Sequence, residues 1–169
     1  MRLAALLFLV ACGGGSGSVD LTGMYRVDVA VGSMPCGADE PLATIPPYLK
    51  FAKDEFLGQP YFKYDGCRDE AGTDCGSTGG LFSGFFEPID NGWRGVVTSS
   101  SGSAGSCTLS YFEQTAVLKG LMLVIDGSSY RDTVDLPEAQ CEPDEAEKRN
   151  TDMPCAEHER IEATQLPAL

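Results

Sequence analysis

Basic residues are scarce in this chain: 12 Lys and Arg stand against 25 Asp and Glu, a formal net charge of −13. So acidic a protein repels nucleic-acid phosphates and anionic headgroups, and no Lys/Arg cluster offsets the imbalance. Histidine occurs once, as His158 between Glu157 and Glu159. A solvated surface imidazole is the plain expectation there. No two cysteines have a C-x-x-C spacing, so with a single histidine a structural zinc site has no ligand set. No serine lies in G-x-S-x-G, and S-x-x-K is absent, which removes two signatures of a serine nucleophile. The acids at Asp65, Asp69, Glu70 and Asp74 do not follow the D-x-[DN]-x-[DN]-G spacing of a calcium loop. Adjacent carboxylates such as Asp144 and Glu145 are what 25 acids produce by composition. The residues therefore point to no catalytic group, no metal and no cofactor.

A long apolar run is missing too. A spanning helix needs roughly 20 apolar residues, whereas the run at 3–10, preceded by Arg2, stops at the glycines 13–15. The run ends in Leu9, Val10, Ala11 and Cys12. This tetrapeptide resembles the lipobox of bacterial lipoproteins. The resemblance implies cleavage before Cys12, a diacylglycerol on its thiol and an acyl chain on its new amino group. It places the mature chain in the cell envelope, held to a membrane by lipid. Gly13 stands where an Asp would favour inner-membrane retention, so the outer membrane is the expected address in a cell that has two. On this reading residues 1–11 are a signal peptide and 12–19 a lipidated Cys with a Gly/Ser tether. Residues 20–169 then form one domain, large enough for a real core.

Seven cysteines are an odd number, and assigning Cys12 to lipid leaves six for an oxidising compartment to pair. Sequence leaves the connectivity open. Proximity favours Cys67 with Cys75 and Cys141 with Cys155, which leaves Cys36 with Cys107.

From Gly23 the chain alternates, with Tyr25, Val27, Val29 and Val31 on one side and Met24, Arg26, Asp28 and Ala30 on the other. Aromatic and β-branched segments follow at 48–53, 60–64, 81–87, 93–98, 107–119, 121–126 and 130–134. Turn signals separate them at Asp65-Gly66, Asp90-Asn91-Gly92, Lys119-Gly120 and Asp126-Gly127. In 107–119 the apolar phase changes from odd (Cys107, Leu109, Tyr111) to even (Ala116, Leu118), so a bulge or bend is expected near 113–115. The serine run 99–106 reads as a hairpin loop. One short helix is expected at 143–149, where Pro143, Asp144 and Glu145 suit the first turn and Lys148 and Arg149 the last. The fold class is therefore mainly β, an antiparallel meander closing into a barrel, with a β-sandwich as the alternative.

Leu21-Thr22-Gly23-Met24-Tyr25 resembles the G-x-W opening of lipocalin and avidin-like barrels, with Tyr25 in place of Trp. The resemblance implies an aromatic plug at one barrel end and binding of a small hydrophobic molecule. Tyr25, Trp93 and Tyr111 are the expected ligand contacts. The function expected is non-catalytic: an anchored envelope lipoprotein holding a small apolar ligand in or at the mouth of the barrel. The alternative is a structural or protein-interaction lipoprotein that binds an envelope protein through its acidic surface, which from Asp132 onward carries 11 acids against Lys148, Arg149 and Arg160.

Overall fold

The computed structural model describes residues 19–77, 84–103 and 105–167. The lipobox with Cys12, the tether up to residue 18 and part of the expected segment 81–87 lie outside them. The described chain is mainly β, a single 10-stranded antiparallel sheet that curls into a half-barrel. Its strands are β1 (Gly23–Ser33), β2 (Glu40–Pro41), β3 (Tyr48–Phe56), β4 (Gln59–Cys67), β5 (Cys75–Ser77), β6 (Glu87–Ile89), β7 (Gly92–Ser103), β8 (Ser106–Lys119), β9 (Met122–Asp135) and β10 (Cys155–Gln165). The one α-helix, α1 (Pro143–Arg149), coincides with the expected span.

Spatial order runs β5-β4-β3-β1-β10-β9-β8-β7-β6, with β2 paired to β1. The meander therefore joins its first long strand to its last. The two flanks also meet at one bridge, where Phe62 and Phe85 exchange backbone hydrogen bonds of 3.0 and 2.9 Å. Gly95 permits that approach, because a Cβ there would lie 2.2 Å from the carbonyl oxygen of Gly84.

Two cores lie on opposite faces of this sheet. The concave face buries Leu21, Tyr25, Leu49, Phe51, Phe62, Phe85, Trp93, Ala116, Leu123, Ile125, Ile161 and Ala163. The convex face buries Cys107, Leu109 and Tyr111 against Ala146 of α1 and Met153. This second core explains the phase change in β8 without a bulge. β8 pairs continuously with β7 and β9, Gly92↔Val117 through Ser103↔Ser106 and Ser106↔Asp135 through Lys119↔Met122. Its odd residues are buried because α1 covers the outside of the sheet, and its even residues because they enter the half-barrel.

Four expectations are corrected. The bulge occurs in β1, between Val27 and Val29, so Ala30 packs towards the core while Val29 is 43% exposed. Ser99–Ser101 pair within β7, so the serine run is mostly strand. Asp65-Gly66 and Asp126-Gly127 are not turns but lie inside β4 and β9. The disulfides are Cys67–Cys75, as proximity suggests, but Cys36–Cys155 and Cys107–Cys141 otherwise. Pairing of β1 with β10, which ends at Ser33↔His158, brings the chain just after β1 alongside the start of β10, where Cys36 meets Cys155. Cys141 instead precedes α1 on the convex face, where the helix brings it over Cys107.

Candidate functional site

The concave core fills one end of the half-barrel and stops short of the other. Tyr25 is fully buried at the filled end and donates its hydroxyl hydrogen to the Leu21 carbonyl at 2.9 Å. Burial, and secondarily the charge of Asp20, push its phenol up to about 12. Trp93 packs edge-on against Phe62 and donates its indole N–H to the Val19 carbonyl at 2.6 Å.

Towards the other end three residue rows cross β8, β9 and β10. Ala116, Ile125 and Ile161 form the innermost row, Gln114, Gly127 and Glu159 the next, and Phe112, Ser129 and Glu157 the outermost. Burial falls along β10 in the same direction: Ile161 is buried, Glu159 half-buried and Glu157 exposed. Apart from the fully buried Ala116, these rows form one wall of a cavity of about 360 Å³, and the opposite wall is Thr44, Ile45 and Pro46 with Leu49 and Tyr64. Tyr64 stacks on Phe51 with ring centroids 5.1 Å apart. Burial first, and then Glu159, push its phenol up to about 12.

Each member of the middle row is unusual for a buried strand. Gln114 is only 4% exposed, yet its Nε2 has no hydrogen-bond partner among the described residues. An unsatisfied buried donor costs roughly 1–3 kcal/mol. No ion pair reaches Glu159 among the described residues, and burial, reinforced by Glu157, pushes its carboxyl above the usual range. His158 acts in the opposite sense. Between the two stands Gly127, where a Cβ would sit in ordinary contact, 3.5 Å from the Phe112 ring and 3.6 Å from the Gln114 Cβ. A strand glycine often marks a place where another group approaches the backbone closely.

None of the three expected ligand contacts lines this cavity. Tyr25 and Trp93 belong to the packed end. Tyr111 lies on the convex face, where its hydroxyl donates to Glu113 at 2.9 Å and accepts from Arg94 at 3.1 Å. Arg94 also bonds Glu113 and Glu87, at 2.8 and 3.1 Å, and so ties β6, β7 and β8 together. Glu159 is hidden in the sequence because Glu157 and Glu159 break the apolar alternation by which a strand is recognised, and Gln114 because a polar side chain within the expected segment 107–119 gives no sign that it is buried. The Asp126-Gly127 pair, read as a turn, was the visible trace of the site.

His158, Asp39 and Ser33 do gather, on the outer side of β10, but not in the order a nucleophile needs. Ser33 Oγ donates to Asp39 Oδ1 at 2.8 Å, and His158 Nδ1 lies 3.0 Å from the same oxygen. His158 Nε2 faces Asp126 Oδ1 at 3.5 Å. Both ring nitrogens are thus directed at carboxylates, an arrangement that favours imidazolium over a general base. The hydrogen bond to Asp39 leads in raising the His158 pKa above its ordinary 6.5. A raised folded pKa stabilises fully below 6.5, and the contribution disappears as pH rises through the folded value. We expect the melting-temperature difference between wild type and His158→Gln to be constant in mildly acidic buffer and to shrink in alkaline buffer. Arg160, paired with Asp126 and Glu162, keeps its charge throughout that range. A difference independent of pH would show that the imidazolium contributes nothing.

Asp69, one of the four acids between 65 and 74, is engaged by its own loop: its Oδ1 accepts the backbone N–H groups of Thr73 and Asp74. No protein-family model matches the chain, and neither a curated protein nor a solved structure matches it.

Proposed function

We propose that this chain is a lipid-anchored envelope binding protein that holds a small, largely apolar ligand in the open end of its half-barrel and performs no chemistry on it. The observation that carries the reading is the middle row, where a glycine stands between a buried amide lacking a partner among the described residues and a half-buried carboxylate. Such a cavity, apolar at its floor and sparingly polar at mid-depth, has the composition of a small-molecule site. Anchorage at Cys12 rests on the lipobox resemblance, as does placement in the outer membrane. The membrane is then a partner through lipid alone.

The test uses the neutral fluorophore N-phenyl-1-naphthylamine and the Gly127→Leu variant. Leu at 127 directs its branches into the cavity, while its Cβ meets only van der Waals contacts. We expect saturable enhancement of fluorescence with wild type and at least about tenfold weaker binding by the variant, equivalent to about 1.4 kcal/mol. The melting temperature should be unchanged or higher. Equal binding by the two proteins would remove the cavity from consideration. Labelling of intact cells with a radioactive fatty acid checks the anchor, and incorporation undiminished in Cys12→Ser would contradict it.

A further inference from the structure

We propose that the ligand of this cavity is a monocationic amine with a flat apolar body, its ammonium or protonated ring nitrogen paired with Glu159 and a hydrogen-bond acceptor on its body engaged by Gln114. This deepens the binding reading above and rests on it. The middle row supplies both polar contacts. Strands lie about 4.8 Å apart, so Gln114 and Glu159, two strands apart across Gly127, have backbones separated by roughly 10 Å. A flat ring laid against the Phe112 ring beside Gly127, which contributes no side chain of its own, spans that gap.

The polar requirements are complementary rather than alike. The Gln114 Nε2 is a donor and calls for an acceptor. Glu159 calls for a cation or donor, and among the described residues no Lys or Arg lines the cavity to supply one. Glu157 stands one row further out and is exposed, so it adds to the attraction at the mouth without being desolvated. An anionic ligand meets two carboxylates here. A neutral apolar one leaves the Glu159 charge uncompensated. The floor of Leu49, Ile125 and Ile161 and the ring of Phe112 accept the apolar body. Burial disfavours the Glu159 carboxylate in the empty protein, so a bound cation gains strength from the same low-dielectric surroundings.

Isothermal titration with three probes of one shape tests the proposal: 1-naphthylmethylamine, cationic at neutral pH, neutral 1-naphthylmethanol, and anionic 1-naphthylacetate. The wild type should bind the amine at least about tenfold more tightly than the alcohol, and the acetate most weakly. Glu159→Gln should erase the advantage of the amine while preserving binding of the alcohol. Asp144→Asn, which removes the same charge from α1 on the far face, should leave the advantage intact. Gln114→Leu should weaken the naphthylmethanol complex, whose oxygen can accept from Nε2, relative to that of 1-methylnaphthalene, which has no acceptor. If amine and alcohol bind wild type equally, or if the advantage persists in Glu159→Gln, the assignment to Glu159 is overturned and the apolar pocket stands. If no probe binds, the pocket reading falls and this inference with it.

Discussion

Removing the Cys36–Cys155 bridge by the double substitution Cys36→Ala/Cys155→Ala is expected to cost up to about 5 kcal/mol of stability, the largest effect of any single covalent link in the chain. The bridge closes a sequence separation of 119 residues, against 34 for Cys107–Cys141 and 8 for Cys67–Cys75. On the chain-entropy account, constraint of the unfolded state grows with the logarithm of loop length, which makes the Cys67–Cys75 link worth only about 2.5 kcal/mol. Location adds to the effect. Cys155 opens β10, the strand that joins β1 to β9 and carries Glu157 and Glu159. A domain of this size is stable by about 5–15 kcal/mol, so the double variant should sit near the folding threshold. Denaturant unfolding of the two double variants checks the ranking. If Cys67→Ala/Cys75→Ala proves the more damaging, loop entropy does not dominate here.

Tyr25→Ala should cost about 3–5 kcal/mol, the usual range for deleting a buried aromatic ring. The ring is fully buried and packs edge-on against Phe51 at 5.5 Å. It fills the end of the half-barrel where Leu21, Trp93 and Leu123 converge. Tyr25→Phe keeps the ring and deletes only the bond to the Leu21 carbonyl, and should cost about 1 kcal/mol. The ratio between the two separates packing from hydrogen bonding. Thermal or chemical denaturation of both variants provides the measurement, and equal losses would place the whole effect in the hydroxyl. Neither variant should change the preference between cationic and neutral naphthyl probes at temperatures where it remains folded, because Tyr25 lies at the filled end and Glu159 near the open one.

The parts of the fold visible in the sequence are those where local chemistry and tertiary demand agree. Around 48–53 the chain alternates because Leu49 and Phe51 face the core while Lys50 faces out, whereas 60–64 and 93–98 are visible through their aromatic and β-branched content. α1 falls where Pro143, the acids after it and the terminal Lys148 and Arg149 place it. Besides the short β2 and β5, the strand that the sequence does not show is β10. Its inward residues run Glu157, Glu159, Ile161 and Ala163, so only the deeper half looks like a strand with a buried face. Real strands depart from the pattern where function or solvent requires it, and β10 does so along the wall of the cavity. The misread disulfides have the same origin, since Cys155 finds Cys36 only through the pairing of β10 with β1. β8 misled in a different way: a helix covering the outside of a sheet imitates, in one strand, the signature of a bulge.

By itself the sequence determined a mainly β chain, the short helix, the acidic balance, the even set of six cysteines once Cys12 is set aside, and the aromatic stock of the core. Each of these depends on residue type or on spacing within a few positions. Only the tertiary structure decided which cysteines pair, which face of β8 is covered at each level, and that Gln114, Gly127 and Glu159 form one row. Those residues are separated by 13 and 32 positions along the chain, and backbone hydrogen bonds between strands bring them side by side. Strand pairing is non-local, so the cavity and the polar groups within it exist only once β10 has been placed between β1 and β9.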